Sequence, residues 1–180
     1  MNLPNKITML RVIMIPFFVA FMLVPGIPFG KYIAVGIFIL ASLTDTLDGY
    51  LARKYNLISN FGKFMDPLAD KLLVSSALIC FVALHTMPAW VVIIIISREF
   101  IISGFRLVAS DAGVVIAASW WGKVKTVVQM VMSVVLILNF DISVFHILEQ
   151  VLIYSALVLT VVSLVDYLVK NWKVMNDGNM

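Results

Sequence analysis

The sequence predicts an all-α polytopic membrane protein, with six transmembrane helices around a polar cavity that opens to the cytoplasm. Three observations carry that prediction. Of the 180 residues, 62% are hydrophobic and 13% charged, and the mean hydropathy is +1.06. Soluble domains carry roughly 45–50% apolar and about 25% charged residues, and a 20.1 kDa globule has too little interior for the excess, so lipid must solvate much of it. The hydrophobic residues also fall into six runs separated by turn-like segments, and the basic residues gather at one end of those runs. A soluble enzyme, a disulfide-built secreted scaffold and a disordered chain are excluded.

The first run, Thr8–Val24, follows Lys6 and Arg11 as the apolar part of a signal peptide would. Pro25-Gly26-Ile27-Pro28 comes next in place of a small-x-small cleavage site, so the run is read as a retained span. The second and third runs, Tyr32–Leu51 and Phe64–Leu84, are joined through the turn Asn56–Gly62. Met87-Pro88 precedes the fourth, Ala89–Val108; Asp111–Gly113 precedes the fifth, Val124–Phe140; Asp141–Ser143 precedes the sixth, Leu148–Val169. Each run fits the range of about 17–25 residues that a membrane-crossing helix needs. With no internal repeat, residues 1–180 are expected to form a single six-helix domain. The one cysteine, Cys80, can form no internal disulfide and reads as a small hydrophobe within its span.

An even number of spans puts both termini on one side. Of the 13 Lys and Arg residues all but Lys31 belong to that side or to the adjoining helix ends, a strong positive-inside signal for cytoplasmic termini. The net charge of +3 is explained by this asymmetry, and nucleic acid is not expected as a partner. His85 and His146 fall on the other side, away from the remaining ionisable groups, and receive no site role.

The acidic residues interrupt the spans. Asp45 and Asp48 lie near the end of the second run, and Asp66 and Asp70 near the start of the third. Arg98, Glu99 and Arg106 interrupt the fourth, and Lys123 and Lys125 open the fifth. A charge at the bilayer centre costs on the order of 3 kcal/mol, so these groups must face one another. Residues three or four apart share a helix face: Asp45 and Asp48 project together beside Gly49 and Ala52, and Asp66 projects with Asp70 from the next helix. Four carboxylates cannot remain ionised together in a low dielectric without compensation. Two divalent cations would balance them, and hard oxygen ligands suit Mg²⁺ or Mn²⁺, paired as in other in-line phosphoryl displacements.

The pattern Asp-x2-Asp-Gly-x2-Ala-Arg-x8-Gly-x3-Asp-x3-Asp runs from Asp45 to Asp70 without departure and resembles the signature of the CDP-alcohol phosphatidyltransferase family. The six-run layout extends the resemblance to the whole chain. It implies an enzyme in which an alcohol hydroxyl displaces CMP from a CDP-linked lipid. By resemblance, Asp45 and Asp66 would bridge two metal ions, Asp48 would complete one site, and Asp70 would complete the other and accept the hydroxyl proton. Gly49, Arg53 and Ser59 match positions that hold the CDP moiety, with Ala52 and Gly62 beside them; Gly62 is equally explained by a turn or by packing. Asn5, Thr8 and Arg11 would approach the nucleotide, although capping and interfacial anchoring account for them as well.

The segments Ser97-Arg98-Glu99-Phe100, Ser103-Gly104-Phe105-Arg106 and Gly122-Lys123-Val124-Lys125-Thr126, with the leader Asn2 to Arg11, resemble the branch of the family that uses sn-glycerol 3-phosphate. The implied partners are CDP-diacylglycerol, glycerol 3-phosphate, membrane lipid and a second copy of the chain as a homodimer. A phosphorylated acceptor needs cations, and Arg106, Lys123 and Lys125 are the candidates; the lysines also suit lipid headgroups, and Arg98 with Glu99 suits charge neutralisation. The alternative within the family is another acceptor, such as serine, inositol phosphate or phosphatidylglycerol. From a different class, a membrane metal-ion transporter would also place carboxylates in its spans, but here they accompany basic groups at one end.

Overall fold

The computed structural model describes the backbone of residues 3–54, 60–111, 113, 116, 117 and 119–172, and their side chains except at 3, 4, 45–54, 60–64, 66, 67 and 111. Among the described residues there are six α-helices and no strands: α1 (Leu3–Leu23), α2 (Gly30–Lys54), α3 (Asn60–Ala83), α4 (Ala89–Asp111), α5 (Trp120–Leu138) and α6 (Ser143–Lys170). Each covers most or all of one hydrophobic run, and most begin earlier. The start of α1 precedes its run by five residues, α5 by four and α6 by five. A hydrophobic run marks the stretch suited to lipid, whereas backbone hydrogen bonding carries a helix on into polar residues. The end of α5 falls two residues before its run does, because Asn139 takes a left-handed conformation (φ 40°) and returns its N–H to the Val135 carbonyl. The other breaks fall at or beside the turn residues read, with positive φ at Gly26, Phe29, His85 and Gly113, but α3 already begins at Asn60, inside the expected Asn56–Gly62 turn.

Among the described residues, three helices are long and apolar enough to cross a membrane by length and composition: Asn5–Leu23 of α1, α5 and α6. Within α2, Gly30–Thr44 is a shorter apolar helix among the described residues. Large apolar side chains stand exposed on every helix, among them Phe17, Leu40, Ile79, Ile93, Val127 and Val158. Water would not tolerate so continuous an apolar periphery, and a membrane protein results.

The chain divides into two compact units, residues 1–86 with 136–138, and residues 87–135 with 139–180. In the first, α1 packs on both α2 and α3. Its core contains Ile15, Phe18, Ala34, Phe38, Ala41, Ala69, Leu73, Ala77 and Phe81, with the Phe18 and Phe38 rings 5.9 Å apart. Four of those positions are alanine, which lets helices approach closely where lipid supplies no hydrophobic drive. The approach is tightest at Gly30, where a Cβ would stand 2.9 Å from the Phe21 carbonyl oxygen. Cys80 is buried in this core, as read.

In the second unit α4 packs on α6. The buried residues of α6 are Glu149, Ile153, Ala156, Thr160, Ser163 and Tyr167, a single stripe alternating steps of four and three. Its aliphatic hydroxyls are satisfied within the helix: Thr160 donates to the Ala156 carbonyl (2.7 Å) and Ser163 to the Thr160 carbonyl (3.0 Å). The start of α5 is capped by Ser119, whose Oγ accepts from the Gly122 N–H at 3.2 Å.

Candidate functional site

In the first unit, α1 buries Asn5, Thr8, Arg11, Ile15 and Phe18. Spaced by three or four, these residues form one stripe, polar in its first half and apolar in its second. Thr8 is wholly buried and Arg11 1% exposed, so all three polar residues face the helices that α1 packs against. Anchoring at a lipid interface would leave them on the periphery, and their burial places them inside the first unit instead.

Those neighbouring helices carry the aspartates. Asp45 and Asp48 lie in α2, and Asp66 and Asp70 in α3, each pair on unbroken helix so that the expected spacing on one face is met by the backbone. Asp70 is half-buried, between the fully packed Ala69 and Leu73. The side chains of Asp45, Asp48, Gly49, Ala52, Arg53, Gly62 and Asp66, and Ser59 altogether, lie outside the described residues.

In the second unit the cations separate into two groups. Arg106 and Lys123 are exposed. Lys125 is 1% exposed, and its ammonium donates to Glu99 Oε1. The same oxygen accepts from Arg98 Nη1 at 3.0 Å, while Arg98 Nε donates to Ser163 Oγ at 3.1 Å. One carboxylate thus ties α4 to α5, and one guanidinium ties α4 to α6. Among the described residues the cluster brings two cations, Arg98 and Lys125, onto one carboxylate. A side chain at Gly122 would crowd it, since a Cβ there would come 3.3 Å from Arg98 Nη2.

Two features escaped the sequence reading. His146 is not isolated: it lies between Asp141 (3.3 Å) and Glu149 (3.4 Å) at the start of α6. Their spacings of five and three residues could have suggested this. Tyr167 is 3% exposed and meets Phe105 edge to face, with ring centroids 5.8 Å apart. A lone tyrosine in an apolar run carries no signal that could have singled it out.

Helices long and apolar enough to cross a membrane, with large apolar side chains exposed on them, define a membrane protein. The family model for CDP-alcohol phosphatidyltransferase matches residues 1–162, and the chain belongs to that family of transferase enzymes. A CDP-diacylglycerol–glycerol-3-phosphate 3-phosphatidyltransferase of Bacillus subtilis is 46% identical over 192 aligned positions covering 99% of each chain. A Haemophilus influenzae protein of the same name is 42% identical over 172 positions, covering 93% of this chain and 91% of its own. A probable phosphatidylglycerophosphate synthase of Mycobacterium tuberculosis is 39% identical over 171 positions, 94% of this chain and 81% of that one.

Proposed function

We propose that this enzyme transfers the phosphatidyl group of CDP-diacylglycerol to sn-glycerol 3-phosphate, forming phosphatidylglycerophosphate and CMP. The observation that carries the proposal is the similarity, over nearly the full length of both chains, to relatives named for that reaction. The buried cations Arg98 and Lys125, gathered on Glu99, are in keeping with an acceptor that is itself an anion.

In the reaction, the acceptor hydroxyl oxygen bonds to the phosphatidyl phosphorus as the bond from that phosphorus to the bridging oxygen breaks. The electron pair leaves with CMP. Asp70, half-buried on α3, takes the hydroxyl proton. Asn5, Thr8 and Arg11 meet the cytidine diphosphate from the buried face of α1. Gly49, Ala52, Arg53, Ser59 and Gly62 complete that subsite. Arg106, Lys123 and Lys125 attract and orient the acceptor phosphate.

The donor set Asp45, Asp48, Asp66 and Asp70 fits hard divalent cations: all four donors are carboxylates, and they are paired one turn apart on continuous helix. These residues would hold two Mg²⁺ or Mn²⁺ ions, which supply charge stabilisation to the pyrophosphate as CMP departs. All six helices are proposed to span the membrane, with the site on the cytoplasmic side.

Steady-state CMP release by the purified protein, with CDP-diacylglycerol and one acceptor at a time, tests the proposal. Glycerol 3-phosphate should support turnover, while glycerol, serine and inositol should not, and chelation should abolish the activity until Mg²⁺ or Mn²⁺ is restored. Efficient use of an uncharged alcohol would overturn the acceptor assignment; full activity in chelator would overturn the metal assignment.

A further inference from the structure

We propose that Tyr167 is a specificity-determining residue of the acceptor site, donating its phenolic O–H to the phosphate of glycerol 3-phosphate. The inference deepens the proposed function and rests on it for the acceptor's identity. It starts from an unmet requirement. Tyr167 is 3% exposed, and its buried hydroxyl oxygen has no hydrogen-bond partner among the described residues. A buried tyrosine usually places its O–H against a partner, because leaving the bond unmade costs stability. Phenylalanine would make the same edge-on contact with Phe105 without that cost. A hydroxyl retained there needs a partner that arrives with a ligand.

The surrounding charges indicate what the ligand is. Arg106 and Arg98 both act electrostatically on the phenol. The Arg98 guanidinium is held by Glu99 on one side and by Ser163 on the other. Ser163 lies one turn before Tyr167 on the buried stripe of α6, so the phenol and a fixed guanidinium share that face. Two guanidiniums and one neutral O–H donor select an anion with several acceptor oxygens. A phosphate monoester has them: planar guanidiniums suit its oxygens, and the phenol supplies a further donor. An uncharged alcohol would bring no anion to these cations and would offer the phenol a weaker acceptor. The phosphate of the acceptor therefore accounts for the tyrosine and for its neighbours together.

Tyr167→Phe removes one oxygen and keeps the ring against Phe105. Two measurements on the full-length protein in one detergent decide its role: CMP release with each substrate varied in turn, and thermal unfolding. The apparent KM for glycerol 3-phosphate should rise about tenfold or more, the effect of losing a hydrogen bond to a charged group. The KM for CDP-diacylglycerol should stay within about twofold. The variant should unfold at the same temperature or higher, because an unsatisfied buried hydroxyl has gone. An unchanged KM for glycerol 3-phosphate overturns the proposal, as does a lowered unfolding temperature with both KM values raised alike. If the wild-type enzyme does not use glycerol 3-phosphate at all, the proposed function itself falls. If it does and the variant matches it, only the assignment of Tyr167 falls.

Discussion

Lys125 shows how a residue's chemistry depends on what it touches. On sequence alone it is one of three free cations available to an acceptor phosphate. In the structure its ammonium is bound by Glu99, which also holds Arg98, and the Lys125 side chain is 2% exposed. Removing the carboxylate would take one ion-pair partner away from two buried cations at once. Breaking a buried pair from one side costs about 3–5 kcal/mol. Glu99→Ala should therefore lower unfolding stability in mixed micelles by about 3 kcal/mol or more, and Lys123→Ala, at an exposed position, should leave it almost unchanged. Similar stabilities for the two variants would show that the cluster is solvated and its charges independent. The individual residues were legible in the sequence, since charges within apolar runs stand out. Their pairing was not, because Glu99 and Lys125 are 26 positions apart and only the packing of α4 and α5 brings them together.

At the scale of the element, α1 is the most informative helix. Its buried stripe passes from Asn5, Thr8 and Arg11 to Ile15 and Phe18, while Leu10, Ile13 and Phe17 face outward. The division was present in the sequence: steps of three and four link the polar residues to the apolar ones without a change of face. Their role stayed ambiguous there because polar residues at a helix start also serve as caps and anchors. Arg11→Ala should accordingly raise the KM for CDP-diacylglycerol about tenfold or more, and Phe17→Ala should leave it within about twofold. The measurement is CMP release over a range of donor concentrations in mixed micelles. An equal response of both variants would mean that α1 acts only through packing. The helix ends were the least legible part of the fold, since hydropathy reports the thickness of lipid and the early starts of α5 and α6 depend on backbone hydrogen bonding instead.

For the whole molecule, the distribution of charge specifies orientation. All Lys and Arg residues but Lys31 belong to one side or to the helix ends next to it. Both termini and the α2–α3 connection should therefore face the cytoplasm. Single-cysteine variants at Asn60 and Ser143, each in a Cys80→Ser background, would report it. An impermeant thiol reagent added to intact cells should label position 143 and spare position 60; the reverse pattern would invert the topology. The buried Cys80 makes this background mild, since serine replaces sulfur with a hydroxyl that a helix can satisfy internally.

The stripe on α6 has a further consequence, for changes of length. Glu149, Ile153, Ala156, Thr160, Ser163 and Tyr167 keep one facing because their steps average close to a helical turn. One residue inserted between Ala156 and Thr160 would rotate the rest of the helix by about 100°. Ser163 would lose Arg98, and Tyr167 would lose Phe105, although no side chain had been altered. Seven inserted residues would restore the facing but carry the distal half about 10 Å along the axis, beyond the reach of the same partners. Rotation and rise are thus coupled along this helix: its outward positions can accept many side chains, whereas its residue count between Ala156 and Tyr167 cannot change.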